Sequence, residues 1–119
     1  MQPTEKQVFT MSYADGNANL YKIGQDWLEY VPVTPDQSSS GFYSGGEPKT
    51  VKITTEELEK IKELFTKAFA DKSQHVENRV KMTGAISQFS DNQWFSVVLD
   101  AQSSHKLAIE NLLKDLLKK

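Results

Sequence analysis

The chain has no cysteine and a single arginine, Arg79. The first absence excludes disulfide scaffolds, thiolate metal sites and cysteine nucleophiles. A long hydrophobic run is missing as well: nothing approaches the ~18 apolar residues that a membrane-spanning helix needs. Basic charge is not in excess. Fourteen Lys and Arg stand against sixteen Asp and Glu, a net charge of −2, which gives no general attraction to a phosphate backbone, so no nucleic-acid partner is expected. The N-terminal "MQPTEKQ" lacks the charged-then-apolar order of a signal peptide, and the expected compartment is the cytoplasm, with no membrane association.

At 119 residues, 38% hydrophobic and 25% charged, the composition is that of a globular chain rather than a disordered one. Its length implies one domain, residues 1–119. Charge is uneven: residues 1–48 carry two lysines against six acids, and residues 49–119 twelve bases against ten acids. The later excess comes from lysines interleaved with glutamates, the pattern of a solvated helix face.

The first third alternates in the manner of strands. In "QVFTMSY", Phe9, Met11 and Tyr13 share one face. Asp15-Gly16 then signals a turn, since glycine tolerates positive φ. "ANLYKI" and "WLEYVPV" continue an antiparallel meander, and Pro32 marks the point where the last of these leaves the sheet. "KTVKI" gives a short fourth strand. Thr54 and Glu57 then form a capping box, with Ile53 and Leu58 placed as a hydrophobic staple. Leu58, Ile61, Leu64, Phe65, Ala68 and Phe69 line one face of the helix that follows. "HVENRVKMTGAISQF" and "QWFSVVL" read as two further strands joined by "SDN". A closing helix from about Ser103 buries Ile109, Leu112, Leu113, Leu116 and Leu117. The expected fold is therefore α+β: an antiparallel sheet of five to six strands with two amphipathic helices packed on one face, in the order β-β-β-(β)-α-β-β-α.

Between Thr34 and Thr50 lies a Ser/Gly-rich loop, "SSSGFYSGGEP" at its centre. It is not a P-loop, because Glu47-Pro48 follow the glycine pair where Gly-Lys-Ser/Thr would open a helix. Nor is it a nucleophile elbow, as Ser44 falls outside a Gly-x-Ser-x-Gly register. Adjacent aromatics are unusual in pure linkers, so Phe42 and Tyr43 are expected to anchor an ordered loop or a partner, with Ser44 beside them. On a strand, His75, Glu77 and Arg79 would alternate onto one face, where Arg79 offers forked hydrogen bonds to an anion. The competing reading of that row is ordinary cross-strand ion pairing.

No metal is expected, since His75 and His105 lie thirty residues apart with no ligand spacing between them. No cofactor motif occurs. Trp27 and Trp94 read as core or edge packing. The expectation is a non-enzymatic binding or protein-interaction module. It would engage a protein or small anionic ligand through Phe42, Tyr43, Ser44, His75, Glu77 and Arg79. The alternatives are a small hydrolase or transferase using His75 and Glu77, and a structural domain that forms a homodimer through an exposed sheet face.

Overall fold

The computed structural model describes residues 9–34, 36, 41, 44–79 and 82–118. Seven strands form one sheet: β1 (Met11–Ala14), β2 (Leu20–Ile23), β3 (Trp27–Val31), β4 (Lys49–Lys52), β5 (His75–Val76), β6 (Gly84–Ser90) and β7 (Gln93–Leu99). Helix α1 spans Thr55–Ala70 and α2 spans Ser104–Leu116. All neighbours pair antiparallel, in the order β4-β3-β2-β1-β6-β7-β5. The α+β class, the meander and both helices match the expectation, but the strand number does not. The stretch expected as a single strand from His75 is interrupted: β5 ends at Val76, residues 77–79 and 82–83 lie outside any strand, and β6 begins at Gly84.

That break has a local cause. Met82 takes a φ of 71°, a left-handed conformation that no strand continues through. The Arg79 side chain folds back on the carbonyl and hydroxyl of Thr83. A Cβ on Gly16 would lie 2.8 Å from the Met82 Cα, so Gly16 lets this loop rest on the β1–β2 turn. The turn itself forms at Asp15-Gly16 as expected, but the residue with positive φ is Ala18, at 71°. Asp15 Oδ1 accepts from the amides of Asn17 and Asn19 at 2.9 and 3.0 Å and fixes the reversal.

β4 and β5 are the two edges of the sheet, and α1 lies between them in sequence. Crossing seven strands means spanning six gaps of ~4.8 Å, about 29 Å. The 16 residues of α1 reach ~24 Å at 1.5 Å each, and the 3₁₀ turn Lys72–Gln74 supplies the rest. The helix starts where the sequence places it: Thr54 accepts from the Glu57 amide at 3.1 Å and Glu57 accepts from the Thr54 amide at 2.9 Å. Leu58, Ile61, Phe65 and Ala68 of α1 and Ile109, Leu113 and Leu116 of α2 are buried on the sheet, against Met11, Tyr13, Ile23, Leu28, Ile86 and Leu99. Short β5 and the lysines at both ends of β4 are what edge strands use to discourage further pairing.

One polar connection crosses this core. The Tyr13 hydroxyl donates to Glu110 Oε2 at 2.5 Å, and Lys106 Nζ lies 3.3 Å from the same oxygen. A Cβ on Gly84 would sit 2.6 Å from the Tyr13 hydroxyl, so only glycine leaves room for the ring. Burial, then the Glu110 hydrogen bond and its charge, hold the Tyr13 phenol protonated far above the ordinary tyrosine range.

Candidate functional site

Because both helices pack on the face that carries Met11 and Tyr13, alternation sends Ser12 to the opposite face. Among the described residues no helix covers that side. Register lines up Thr50, Glu29, Lys22, Ser12, Ser87 and Ser96 as one row across six strands. Beside it runs an apolar row: Val31, Leu20, Ala14, Ala85, Val98 and Val76.

The third row on this face is aromatic. Asp91 and Asn92 have φ of 52° and 65°, the two-residue reversal whose twist suits a tight hairpin. It sets Phe89 directly opposite Trp94 and Ser87 opposite Ser96. The rings of Phe89 and Trp94 are tilted at a centroid distance of 5.5 Å, and Phe9 meets Trp94 from the other side, also at 5.5 Å. Phe9 therefore does not share a face with Met11 and Tyr13. The strand begins only at Met11, and Phe9 turns outward onto the indole. Lys22 Nζ stands 5.2 Å over the Phe9 ring. Trp94 is 46% exposed and Phe89 40%, so Trp94 is not a core residue; its ring packs on Phe9 and Phe89 at the outer end of the hairpin. The sequence signal for this was the Asp-Asn turn: a two-residue hairpin fixes which of "QFSDNQWF" share a face.

Phe9, Ser12, Ser87, Trp94 and Ser96 enclose a shallow hollow of about 290 Å³. The Ser87 and Ser96 hydroxyls bond each other across its floor at 2.8 Å. A larger groove, about 370 Å³, lies on the helix side of the same hairpin, between Thr66, Phe69 and Ala70 of α1 and Gln88, Ser90 and Phe95. Its lining is mostly hydrocarbon and, among the described residues, holds no ionisable group.

Those residues singled out from sequence that the structure describes lie away from this face's aromatic row. Phe42 and Tyr43 lie outside the described residues. Ser44 is exposed and its hydroxyl accepts from the Gly46 amide at 3.2 Å. The following segment is fastened: Gly45 donates to the Val33 carbonyl at 2.9 Å, and Tyr30 donates its hydroxyl to the Gly45 carbonyl at 2.6 Å. Asn19 completes the knot, accepting from the Val33 amide at 2.9 Å and donating to Asp15 at 3.1 Å.

His75, Glu77 and Arg79 do not form a strand row, because β5 ends at Val76. The His75 imidazole meets the Ala68 carbonyl at 2.7 Å, Glu77 is exposed in the loop, and Arg79 gives its second nitrogen to the Asp15 carbonyl at 3.0 Å. The guanidinium is thus a loop fastener. Arg79 bonds the Asp15–Asn19 turn directly, whereas the Ser44–Gly46 segment is linked to it through Val33, which bonds both Gly45 and Asn19.

The imidazole that faces a carboxylate is His105, whose Nε2 lies 3.0 Å from Asp71 Oδ2. Ser73 donates to the other oxygen of Asp71. Those bonds, Ser73's first, hold the Asp71 carboxyl below its ordinary range. The carboxylate sits between hydroxyl and imidazole, whereas nucleophile activation needs the imidazole in the middle. With Gln74 bonding Ser103 and Ser104, the cluster braces the start of α2 against the end of α1. Among the described residues no three His, Asp or Glu side chains gather in metal-binding geometry, and no helix is long and apolar enough to cross a membrane. Comparison with family models, with characterised proteins and with solved structures finds no match for this chain.

Proposed function

We propose that the chain is a non-enzymatic binding module and that its contact surface is the aromatic and serine patch of the uncovered sheet face. The observation that carries this is the clustering of Phe9, Phe89 and Trp94 outside the core, with the last two 40% and 46% exposed. Rimmed apolar patches of this kind mark interaction sites, and large rigid aromatics supply most binding energy per residue. The loop aromatics Phe42 and Tyr43 stay a second proposed contact.

Trp94→Ala tests the assignment. It should cost no more than about 1 kcal/mol of stability, since it removes an exposed ring and two aromatic contacts. It should also abolish capture of whichever saccharide, nucleoside or peptide probe the wild-type protein retains. Equal capture by the variant would remove the patch from consideration. The apolar row beside the serines favours one second reading, a homodimer formed through this face. A sedimentation coefficient independent of concentration up to the millimolar range would count against it.

A further inference from the structure

We infer that the hollow between Phe9 and Trp94 binds a neutral saccharide, one sugar unit of a chain lying across the sheet. The inference rests on the binding-module reading above and names its ligand class.

Three features of the lining select the chemistry. Two walls are aromatic, and the indole of Trp94 offers a broad, rigid apolar surface at the protein's exterior. A pyranose has a matching apolar side made of C–H groups. Among the described residues the polar side chains of the lining are hydroxyls: Ser12, Ser87 and Ser96. A hydroxyl carries one donor and two acceptor sites, so the Ser87–Ser96 bond uses one donor and one acceptor of the pair and leaves the others for a ligand. Donors and acceptors side by side suit sugar hydroxyls, which are both at once.

The third feature is charge. Among the described residues no ionisable side chain lines the hollow, and the neighbouring ammonium of Lys22 is set over the Phe9 ring. A carboxylate, sulfate or phosphate would therefore enter without a counter-charge in the lining. This replaces the small anionic ligand expected from the sequence. A purely hydrocarbon ligand is disfavoured from the other direction, because it would bury three hydroxyls against carbon. Size agrees: about 290 Å³ is at the small end of ligand sites, which run roughly 300–1,000 Å³, so one ring fits and an extended cofactor does not.

The test is a glycan array probed with the labelled full-length protein, followed by titration calorimetry of each hit. The array carries neutral oligosaccharides of glucose, galactose, mannose and N-acetylglucosamine beside sulfated and sialylated forms, and a parallel panel carries nucleosides and short peptides. The expected result is binding to neutral oligosaccharides, weakened about tenfold or more by Trp94→Ala. Ser87→Ala and Ser96→Ala should each weaken it roughly fivefold, while Trp94→Tyr retains most of the affinity. A single cooperative melting transition within about 4 °C of wild type establishes that the variants are folded. Binding confined to acidic glycans and lost in Lys22→Ala overturns the neutral class. Trp94-dependent binding of nucleosides or peptides alone overturns the saccharide and leaves the patch as a contact surface. If no probe binds, or binding ignores Trp94, the saccharide and the patch fall together.

Discussion

The buried bridge between β1 and α2 makes a quantitative demand on stability. Tyr13 is fully buried, and its hydroxyl donates to a carboxylate that also carries Lys106. Tyr13→Phe removes that one donor while keeping the ring. A hydrogen bond to a charged group is worth about 1.5–3 kcal/mol net, and Glu110 would keep only its ion pair in a nearly enclosed position. The variant should lose about that much in urea unfolding, with an unchanged m-value. At about 4 °C per kcal/mol for a domain of this length, the melting temperature should fall by roughly 6–12 °C.

The same buried phenol sets a pH dependence that a mere packing loss would not move. Folded Tyr13 stays protonated well above the ordinary range, chiefly through burial, whereas in the unfolded chain it ionises near pH ~10. Below that pH its contribution is complete. Above it the unfolded state binds fewer protons than the folded one, so stability drops by up to about 1.4 kcal/mol per pH unit from this group. Tyr13→Phe should therefore flatten the alkaline limb between pH ~10 and 11.5 while lowering the plateau at neutral pH. A plateau loss under about 0.5 kcal/mol with an unaltered alkaline slope would refute the reasoning.

Three further outcomes are expected. Gly84→Ala places a Cβ 2.6 Å from the Tyr13 hydroxyl and 2.9 Å from its Cε1; overpacking of this kind costs about 1–3 kcal/mol, and a denaturation cycle should show part of it relieved in the Tyr13→Phe background. Arg79→Lys should destabilise the protein almost as much as Arg79→Ala, by about 1–2 kcal/mol, because the forked bonds to Thr83 and Asp15 need the planar guanidinium; equal melting of Arg79→Lys and wild type would show that the fork is dispensable. Asp71→Asn should lessen the acid sensitivity of the fold. A carboxyl held low in the folded state contributes stability above its unfolded value of ~3.9 and loses it as pH falls through the folded one, so melting temperatures from pH 6 to 2 should decline less steeply in the variant.

Helices and core were legible in the sequence because their signals are local. The Thr54–Glu57 box needs three residues of chain, and the apolar stripes of α1 and α2 repeat within a few turns; both recur in the structure at the expected residues. What escaped was set by partners distant in sequence. The sequence after Val76 reads as a continuation of alternation until Arg79 finds the carbonyl of Asp15, 64 positions away, and no composition rule encodes a backbone acceptor. His105 gave no sign of its carboxylate because Asp71 lies 34 positions earlier, beyond the end of a different helix. Ser44 was visible as loop but not as tethered, since Tyr30 holds the Gly45 carbonyl from an interior strand.

Trp94 shows how sharply a site can depend on parity. Along β7, Trp94, Ser96 and Val98 face away from the helices while Phe95, Val97 and Leu99 face toward them, and register with β6 fixes the choice. A slip of one residue would exchange the two sets, burying Trp94 and exposing Leu99, which is fully enclosed here. The Asp91-Asn92 reversal holds against this. The hairpin also runs to the end of its support: Met11 is the first residue of β1 and pairs with Gln88, and among the described residues the Phe89–Trp94 pair is flanked by the Phe9 ring and by Thr10, whose carbonyl accepts from the Phe89 amide at 2.8 Å. Rings in that position add little to the core, and the energy they hold in reserve is released only when something covers them. Stability should thus follow the Tyr13–Glu110–Lys106 bridge and binding the hairpin tip, so Trp94→Ala and Tyr13→Phe should affect opposite assays and add without coupling when combined.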